Sequence, residues 1–478
     1  MSTVHSAIRW KVVDQVLTQG LNLLAAMILA RLIAPAEFGL FAILVLLMVL
    51  GDVFAKGGLA MALVQRQDIT HDDESTVFWF NLAVALLIAV GLFALAPAIA
   101  AFFEQERLTL LLRALVFNLV FAAGITVPWA RLSKRLAFKR LALVTAISVG
   151  AGAVVAVLMA LQGWGAGALV MQLLVSSGLN MLCLVVLERW QPAFTFDRRR
   201  FSTLFSYGAF HMGASLMMLL SRQAYTVFVG KLYSPADLGV FNRAVNTRGM
   251  PQNFIGSVYR GVGFPVLARL TPEPQRFRDS LRASLNAFMA LALPVMAGIA
   301  LVAEDLVPVM FGPNWSAVVP FLQVLCIGAI AWALNMINLN ALSALGEARR
   351  VFRAQLMVQS LLLITVAITA QFNLLALAIG MSVMEFIGTA IFAGMLKRRL
   401  GYGLADQLRD LAPYLALLAA MAAAVSLQRA LLPFDRALYG LVVSVVLGAT
   451  VYLVPMVLLR LEAVDHGLML LRKDPGSR

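Results

Sequence analysis

The sequence predicts an all-α, polytopic membrane protein, and three observations carry that prediction. Of the 478 residues, 61% are hydrophobic and only 13% charged, with a mean hydropathy of +0.88, whereas soluble domains hold about 45–50% apolar and about 25% charged residues. A soluble core of this length could not hide so much apolar surface, so lipid must serve as solvent. The apolar residues also come in runs of roughly 20, the length that crosses a hydrocarbon layer as a helix. Finally, no hydrophilic block between the runs is long enough to form a soluble domain.

Reading the runs between charged or turn-rich breaks gives about fourteen spans: 12–33, 38–62, 77–101, 109–130, 141–162, 166–187, 204–231, 238–264, 282–303, 317–343, 352–371, 374–396, 411–430 and 437–459. The pair 204–231 and 238–264 is the most polar. The first run is longer than a signal-peptide core and runs straight into a turn and a second span, so it is expected to remain as the first helix. Twenty-seven of the 38 Lys and Arg residues fall on one set of loops and ends, including Arg66, Arg131–Arg140, Arg189, Arg349–Arg353 and Lys397–Arg399. Six fall on the opposite set. That asymmetry predicts an even number of spans with both termini cytoplasmic. It also accounts for the net charge of +14 without a nucleic-acid partner. Cys183 and Cys326 each lie inside an apolar run and read as small core side chains, not as a disulfide or a metal site.

An internal repeat appears in the turns. Ala30-Arg31-Leu32-Ile33-Ala34-Pro35-Ala36-Glu37-Phe38-Gly39 returns 200 residues later as Gly230-Lys231-Leu232-Tyr233-Ser234-Pro235-Ala236-Asp237-Leu238-Gly239. Proline sets φ for a tight turn, the acidic residue can cap the next helix, and glycine permits close approach. Each turn joins the first two helices of a six-helix set. The expected organisation is therefore an N-terminal six-helix lobe (1–195), a second lobe (196–400), two additional helices (401–460) and a cytoplasmic tail (461–478). An even number of spans per lobe gives a parallel repeat about the membrane normal, an arrangement that transporters use around a central site. The loop Thr271–Arg282 and the tail Leu461–Lys473 have the amphipathic pattern of interfacial helices.

The turns at Leu32–Gly39 and Leu232–Gly239, with Leu63-Val64-Gln65-Arg66-Gln67-Asp68 and Thr76-Val77-Phe78-Trp79-Phe80-Asn81, resemble the polysaccharide flippases. These are the O-antigen and exopolysaccharide repeat-unit exporters of the multidrug/oligosaccharidyl-lipid/polysaccharide superfamily. The resemblance covers essentially the whole chain. It implies a bacterial inner-membrane protein that moves an undecaprenyl-pyrophosphate-linked oligosaccharide to the periplasmic leaflet by alternating access between two lobes. It also implies membrane lipids as surroundings, and a polysaccharide polymerase and a chain-length regulator as candidate partners. A lipid-linked peptidoglycan precursor flippase and a multidrug exporter share that layout.

The residues themselves add a mechanism. Lys or Arg in mid-membrane costs at least about 2.5–3.5 kcal/mol and normally faces water or a partner. Lys56, Arg222, Arg243 and Arg248 are expected to line a cationic cavity for a pyrophosphate headgroup, because guanidinium forks donate bidentate bonds to phosphate. The competing reading snorkels Arg243 to an interface and pairs Lys56 with Asp52 one helical turn away. Gln15, Gln19 and Asn22 in the first span, Asn246 and Asn253 in the eighth, and Asn335, Asn338 and Asn340 in the tenth are candidates for a sugar path, or else for helix–helix hydrogen bonds. Asp52 and Glu385 are candidates for coupling to a proton or sodium gradient. No Walker loop or nucleophile elbow is present, so neither ATP hydrolysis nor another enzymatic activity is expected, and no cofactor is implied. A membrane glycosyltransferase or polymerase would need a larger extramembrane loop than the sequence offers, and a multidrug exporter for cationic drugs would need an anionic cavity.

Overall fold

The computed structural model describes residues 2–56, 63, 69–195, 216–217, 219–271, 273–432, 436–459 and 461. The side chains of 2–9, 11, 12, 55, 56, 258 and 260–266 lie outside that description. The helices run α1 (Ser2–Leu32), α2 (Pro35–Lys56), α3 (His71–Phe102), α4 (Arg107–Leu115), α5 (Phe117–Lys134), α6 (Phe138–Leu161), α7 (Ala166–Glu188) and α8 (219–232). They continue as α9 (Pro235–Arg269), α10 (Pro274–Phe311), α11 (Val318–Ala344), α12 (Ala348–Thr369), α13 (Leu374–Leu400), α14 (Leu404–Leu431) and α15 (Ala437–Leu458). Among the described residues, twelve helical segments are long and apolar enough to cross a membrane, with α4 and α5 counted as one. The two expected spans not counted here are the most polar runs: part of 204–231 lies outside the described residues, and over 238–264 α9 has the length, with 35 residues, but not the composition. A correction concerns Thr271–Arg282, whose helix does not lie separately at the interface. Residues from Pro274 onward continue into the 38-residue α10. The tail expected to be amphipathic lies outside the described residues except Leu461.

The chain divides into two compact units, Met1–Gly239 and Val240–Arg478. In the first, α1 packs on α6, α6 on α7, α5 on α7 and α3 on α5. Lipid tails are as apolar as leucine, so close backbone approach over small residues holds such helices together. The buried stripes fit that rule: Ala85, Ala89, Ala96 and Ala100 on α3, and Ser148, Gly152, Ala156 and Ala160 on α6. A methyl group at Gly152 would overlap Ser176 Oγ of α7. The large apolar residues point outward instead, among them Leu87, Val90, Leu110 and Val154.

Ion pairs and caps order the two ends of this unit. At one end, Glu37 accepts from Arg107 Nη1 at 2.5 Å and from the backbone N of Ala166, in the first turn of α7, at 2.7 Å. Nearby, Lys231 donates to Glu104 at 2.6 Å, and its ammonium holds the Glu104 carboxyl below the usual carboxylate range. The repeated acidic residue therefore works differently in the two turns. Asp237 closes a capping box with Ser234 (Oγ to Oδ2 2.7 Å; Asp237 N to Ser234 Oγ 3.2 Å), whereas Glu37 caps α7 instead of its own helix. At the other end, Thr70 and Asp73 cap α3 reciprocally. The extended chain after α7 is strapped down there by Trp79 Nε1 to Ala193 O (2.9 Å) and Ala193 N to Ser75 Oγ (3.0 Å).

The two repeated turns meet within the first unit. A methyl on Gly39 would overlap the Pro235 carbonyl, and one on Gly239 would overlap the Pro35 carbonyl. This reciprocity is what a two-fold relation between duplicated segments produces, and only glycine permits it.

The second unit is built on a core of Tyr259, Phe277, Leu281, Leu285, Met289 and Leu293 with Ile337, Phe392 and Leu396. Helices α11 and α13 lock together through Ser382 Oγ to Val324 O (3.0 Å) and Thr389 Oγ1 to Ala331 O (2.8 Å). Asn338 and Gln407, both fully buried, exchange two hydrogen bonds of 3.1 and 2.8 Å and fasten α14 to α11. Arg282 and Tyr402 converge on Asp410 (2.8 Å each), and Arg429 bridges Glu304 and Asp305. Asn338 therefore leaves the expected sugar path and serves as a fastener.

Gly39→Ala is expected to lower the thermal midpoint of the purified chain, with an overpacking cost of about 1–3 kcal/mol. Gly91→Ala, which meets no atom within 4 Å, should leave it unchanged. Tryptophan fluorescence on heating in detergent reads the difference.

Candidate functional site

Helix α9 carries the densest set of polar residues in a helix of membrane length. Val240, Phe241, Ala244, Thr247, Ile255 and Tyr259 are buried, while Asn246 and Asn253, two turns apart, are exposed. Asn246 Nδ2 donates to Asn242 Oδ1 at 2.6 Å, so three amides share one uncovered face. A helix of membrane length with such a face is better suited to water or a polar partner than to lipid.

The two arginines of α9 have different settings. Arg243 is 7% exposed and lies between the rings of Phe311 and Trp315, its guanidinium carbon 4.8 Å from each centroid. Stacking on two faces of negative quadrupole offsets part of its desolvation, by about 2 kcal/mol or more at such a dry site. Arg248 is half-buried, and its Nε is shut off from solvent with no hydrogen-bond acceptor among the described residues. It lies near enough to Cys326 of α11 for its charge to act on the thiol. Gln252 Nε2 is likewise buried without an acceptor. Donors left in this state cost about 1–3 kcal/mol each unless something accepts from them.

Elsewhere in the second unit, Asn335 packs beside Gly388 of α13, whose added methyl would come 3.2 Å from its Nδ2. Glu385 sits half-buried one turn before that glycine. Asn340 turns back onto its own helix through Met336 O (2.7 Å). In the first unit Arg222 is exposed on α8, Asn22 is exposed on α1, and Gln15, Gln19 and Asp52 are half-buried. The side chain of Lys56 lies outside the described residues. The structure thus gathers Arg248, Asn246 and Asn253 on one helix and Asn335 with Glu385 at one helix pair, and it places Arg243 away from the open face. Sequence reasoning missed the cluster in which Arg131 joins Glu74 (2.6 Å) and Glu188 (3.2 Å). Those residues are 57 positions apart, and no local spacing signals them.

A two-unit, all-helical membrane chain with charged and amide side chains on a long polar helix defines a transporter-type architecture. Solved structures agree on the fold. The lipid II flippase MurJ in its inward closed conformation superposes with a TM-score of 0.77, covering 95% of this chain and 99% of that one at 13% identity. An inward-facing multidrug resistance MATE family transporter gives 0.64, covering 83% and 98% at 14% identity.

Residues 28–320 match the polysaccharide biosynthesis protein family, and the chain belongs to it. It is 31% identical to the succinoglycan biosynthesis transport protein ExoT of Rhizobium meliloti (strain 1021) over 68% of this chain and 66% of that one. Against the teichuronic acid biosynthesis protein TuaB of Bacillus subtilis (strain 168) the identity is 28%, over 64% and 63%. Against the lipopolysaccharide biosynthesis protein WzxC of Escherichia coli (strain K12) it is 24%, over 67% and 66%. The chain spans just under two thirds of the length of these relatives.

In a background lacking Cys183 and Cys326, Asn246→Cys and Asn253→Cys are expected to react with a membrane-impermeant maleimide, and Ala244→Cys is not. Mass-shift labelling in inverted and right-side-out vesicles checks this.

Proposed function

We propose that the chain is a flippase that carries a polyprenyl-diphosphate-linked oligosaccharide from the cytoplasmic to the periplasmic leaflet of a bacterial inner membrane. The observation that carries this reading is the uncovered amide face of α9, together with Arg248 on the buried side of the same helix, whose Nε finds no acceptor among the described residues. Diphosphate would supply that acceptor, and neutral amides suit sugar hydroxyls. Membership in the polysaccharide biosynthesis protein family supports the cargo class, as do relatives named for succinoglycan transport and lipopolysaccharide biosynthesis.

In this proposal Arg222, Arg248 and Lys56 supply positive charge for the diphosphate. Gln19, Asn22, Asn246, Asn253 and Asn335 line the sugar path. Arg243, clamped by two rings, orients α9. Lobes 1–195 and 196–400 alternate about the site, helices 401–460 flank the lipid tail, and both termini are cytoplasmic, as the basic-residue asymmetry requires. Asp52 and Glu385 are the carboxylates proposed to couple transport to a proton or sodium gradient. A polysaccharide polymerase and a chain-length regulator are the proposed partners downstream. The fold neighbours named as multidrug transporters raise the drug-exporter alternative. A cavity for cationic drugs would carry carboxylates, whereas α9 carries two arginines and amides between Asn242 and Asn253.

A deletion strain is expected to accumulate the lipid-linked oligosaccharide on the cytoplasmic leaflet. Arg248→Ala and Arg222→Ala are expected to restore folded protein but less than about a tenth of export. Full export by both variants would overturn the assignment.

A further inference from the structure

The turn between α3 and α4 holds a charged residue in a backbone conformation that favours glycine. Glu104 takes a φ of 55° just past the cap of α3, where the chain closes through Glu104 N to Ala101 O (3.2 Å) and Gln105 N to Ala100 O (2.9 Å). Glycine normally occupies that position of a helix stop, because a Cβ is strained there. The stop itself requires no carboxylate. Lys231 of α8 does use it: its Nζ donates to Glu104 Oε1 at 2.6 Å and lies 5.4 Å from the centre of the Phe102 ring. Strain kept at a charged side chain points to a role for the charge.

By the repeat of turns, α8 corresponds to α1 and opens the second six-helix set, yet its end lies in the first compact unit, Met1–Gly239. Contacts of two kinds seat it there. One kind is buried and close-packed. A methyl on Gly230 would come 3.1 Å from the Phe103 ring and 3.4 Å from Ile43 Cδ1, Ile43 is 1% exposed, and Gly39 and Gly239 meet the opposite prolines backbone to backbone. The other kind is the Lys231–Glu104 pair, whose side chains are 37% and 78% exposed. A solvated ion pair binds weakly and is screened by salt, so it can be made and broken readily. The Arg107–Glu37 pair at the same end joins helices of the first set alone.

We propose that Glu104 and Lys231 form a releasable latch that holds the end of α8 over the seam at Ile43 and Phe103, and that its release uncovers this seam on the face proposed to be periplasmic. Phe102 backs the ammonium, and the left-handed turn aims the carboxylate at it. The latch rests on the flippase reading, in which the two helix sets part at that face for the cargo to leave; it adds the contact that is released and the residue pair that sets how often.

Ile43→Cys, in the full chain lacking Cys183 and Cys326, reports on the seam, and Phe103→Cys on the other side of Gly230 is a second reporter. Labelling by a membrane-impermeant maleimide in right-side-out vesicles is expected to be slow. It should quicken about two- to fivefold in Glu104→Gln and in Lys231→Met, the change that loss of an exposed ion pair brings, and return to the slow rate in the swap Glu104→Lys/Lys231→Glu. Glu104→Gly separates the latch from a helix stop: it relieves the backbone and should keep or raise the thermal midpoint, yet label as fast as Glu104→Gln. Labelling that ignores both single variants, or that stays fast in the swap, would overturn the latch. Labelling is read without cargo, so a chain that labels as expected but restores no export to a deletion strain would support the latch and contradict the flippase reading.

Discussion

A positive side chain at membrane depth must find a carboxylate, an aromatic face or water, and the way this chain meets that constraint sorts its cations by role. Arg131 and Arg429 are tied to carboxylates, Glu74 with Glu188 and Glu304 with Asp305. Removing one partner from pairs of this kind strands a charge, at about 3–5 kcal/mol when the site is dry. Arg243 is accommodated by Phe311 and Trp315. Arg248 is different, since its Nε is buried without an acceptor on the helix that also bares Asn246 and Asn253. A donor kept in that condition is a cost unless an anion visits.

The all-helical membrane fold was legible because hydropathy reports the solvent directly, and α6 and α7 begin and end within about three residues of their apolar runs, although α1 and α3 start well before theirs. The breaks were less legible where two physical demands compete. The run 109–130 reads as a single span but divides at Val116, where α4 ends and α5 begins. The polar run 238–264 is one continuous helix although its composition falls short of a span, because Ser234 and Asp237 cap its start and the buried stripe from Val240 to Tyr259 supplies the packing. Hydropathy cannot register either contribution.

For the site, the sequence could identify residue types but not their neighbours. A helical wheel sets Arg243 close to the amide stripe and points Arg248 elsewhere, but it could not show the rings of Phe311 and Trp315 that bury Arg243. Asn335 and Asn338 also look alike. One lies beside Gly388 and the other pairs with Gln407, 69 residues away. The duplicated turn was recognisable from Pro35 and Pro235. The meaning of its glycines was not, because a reciprocal contact between Gly39 and Pro235 and between Gly239 and Pro35 exists only in three dimensions.

The central claim is that Arg248 of α9, whose Nε finds no acceptor among the described residues, receives a diphosphate, and a comparison of two lipids tests it most directly. Binding of undecaprenyl diphosphate and of undecaprenyl monophosphate to the purified chain in neutral nanodiscs would be titrated side by side with Arg248→Ala. The account predicts diphosphate binding about tenfold tighter than monophosphate, with that preference lost in the variant. Equal affinities for the two lipids, or a preference that survives the loss of Arg248, would contradict it.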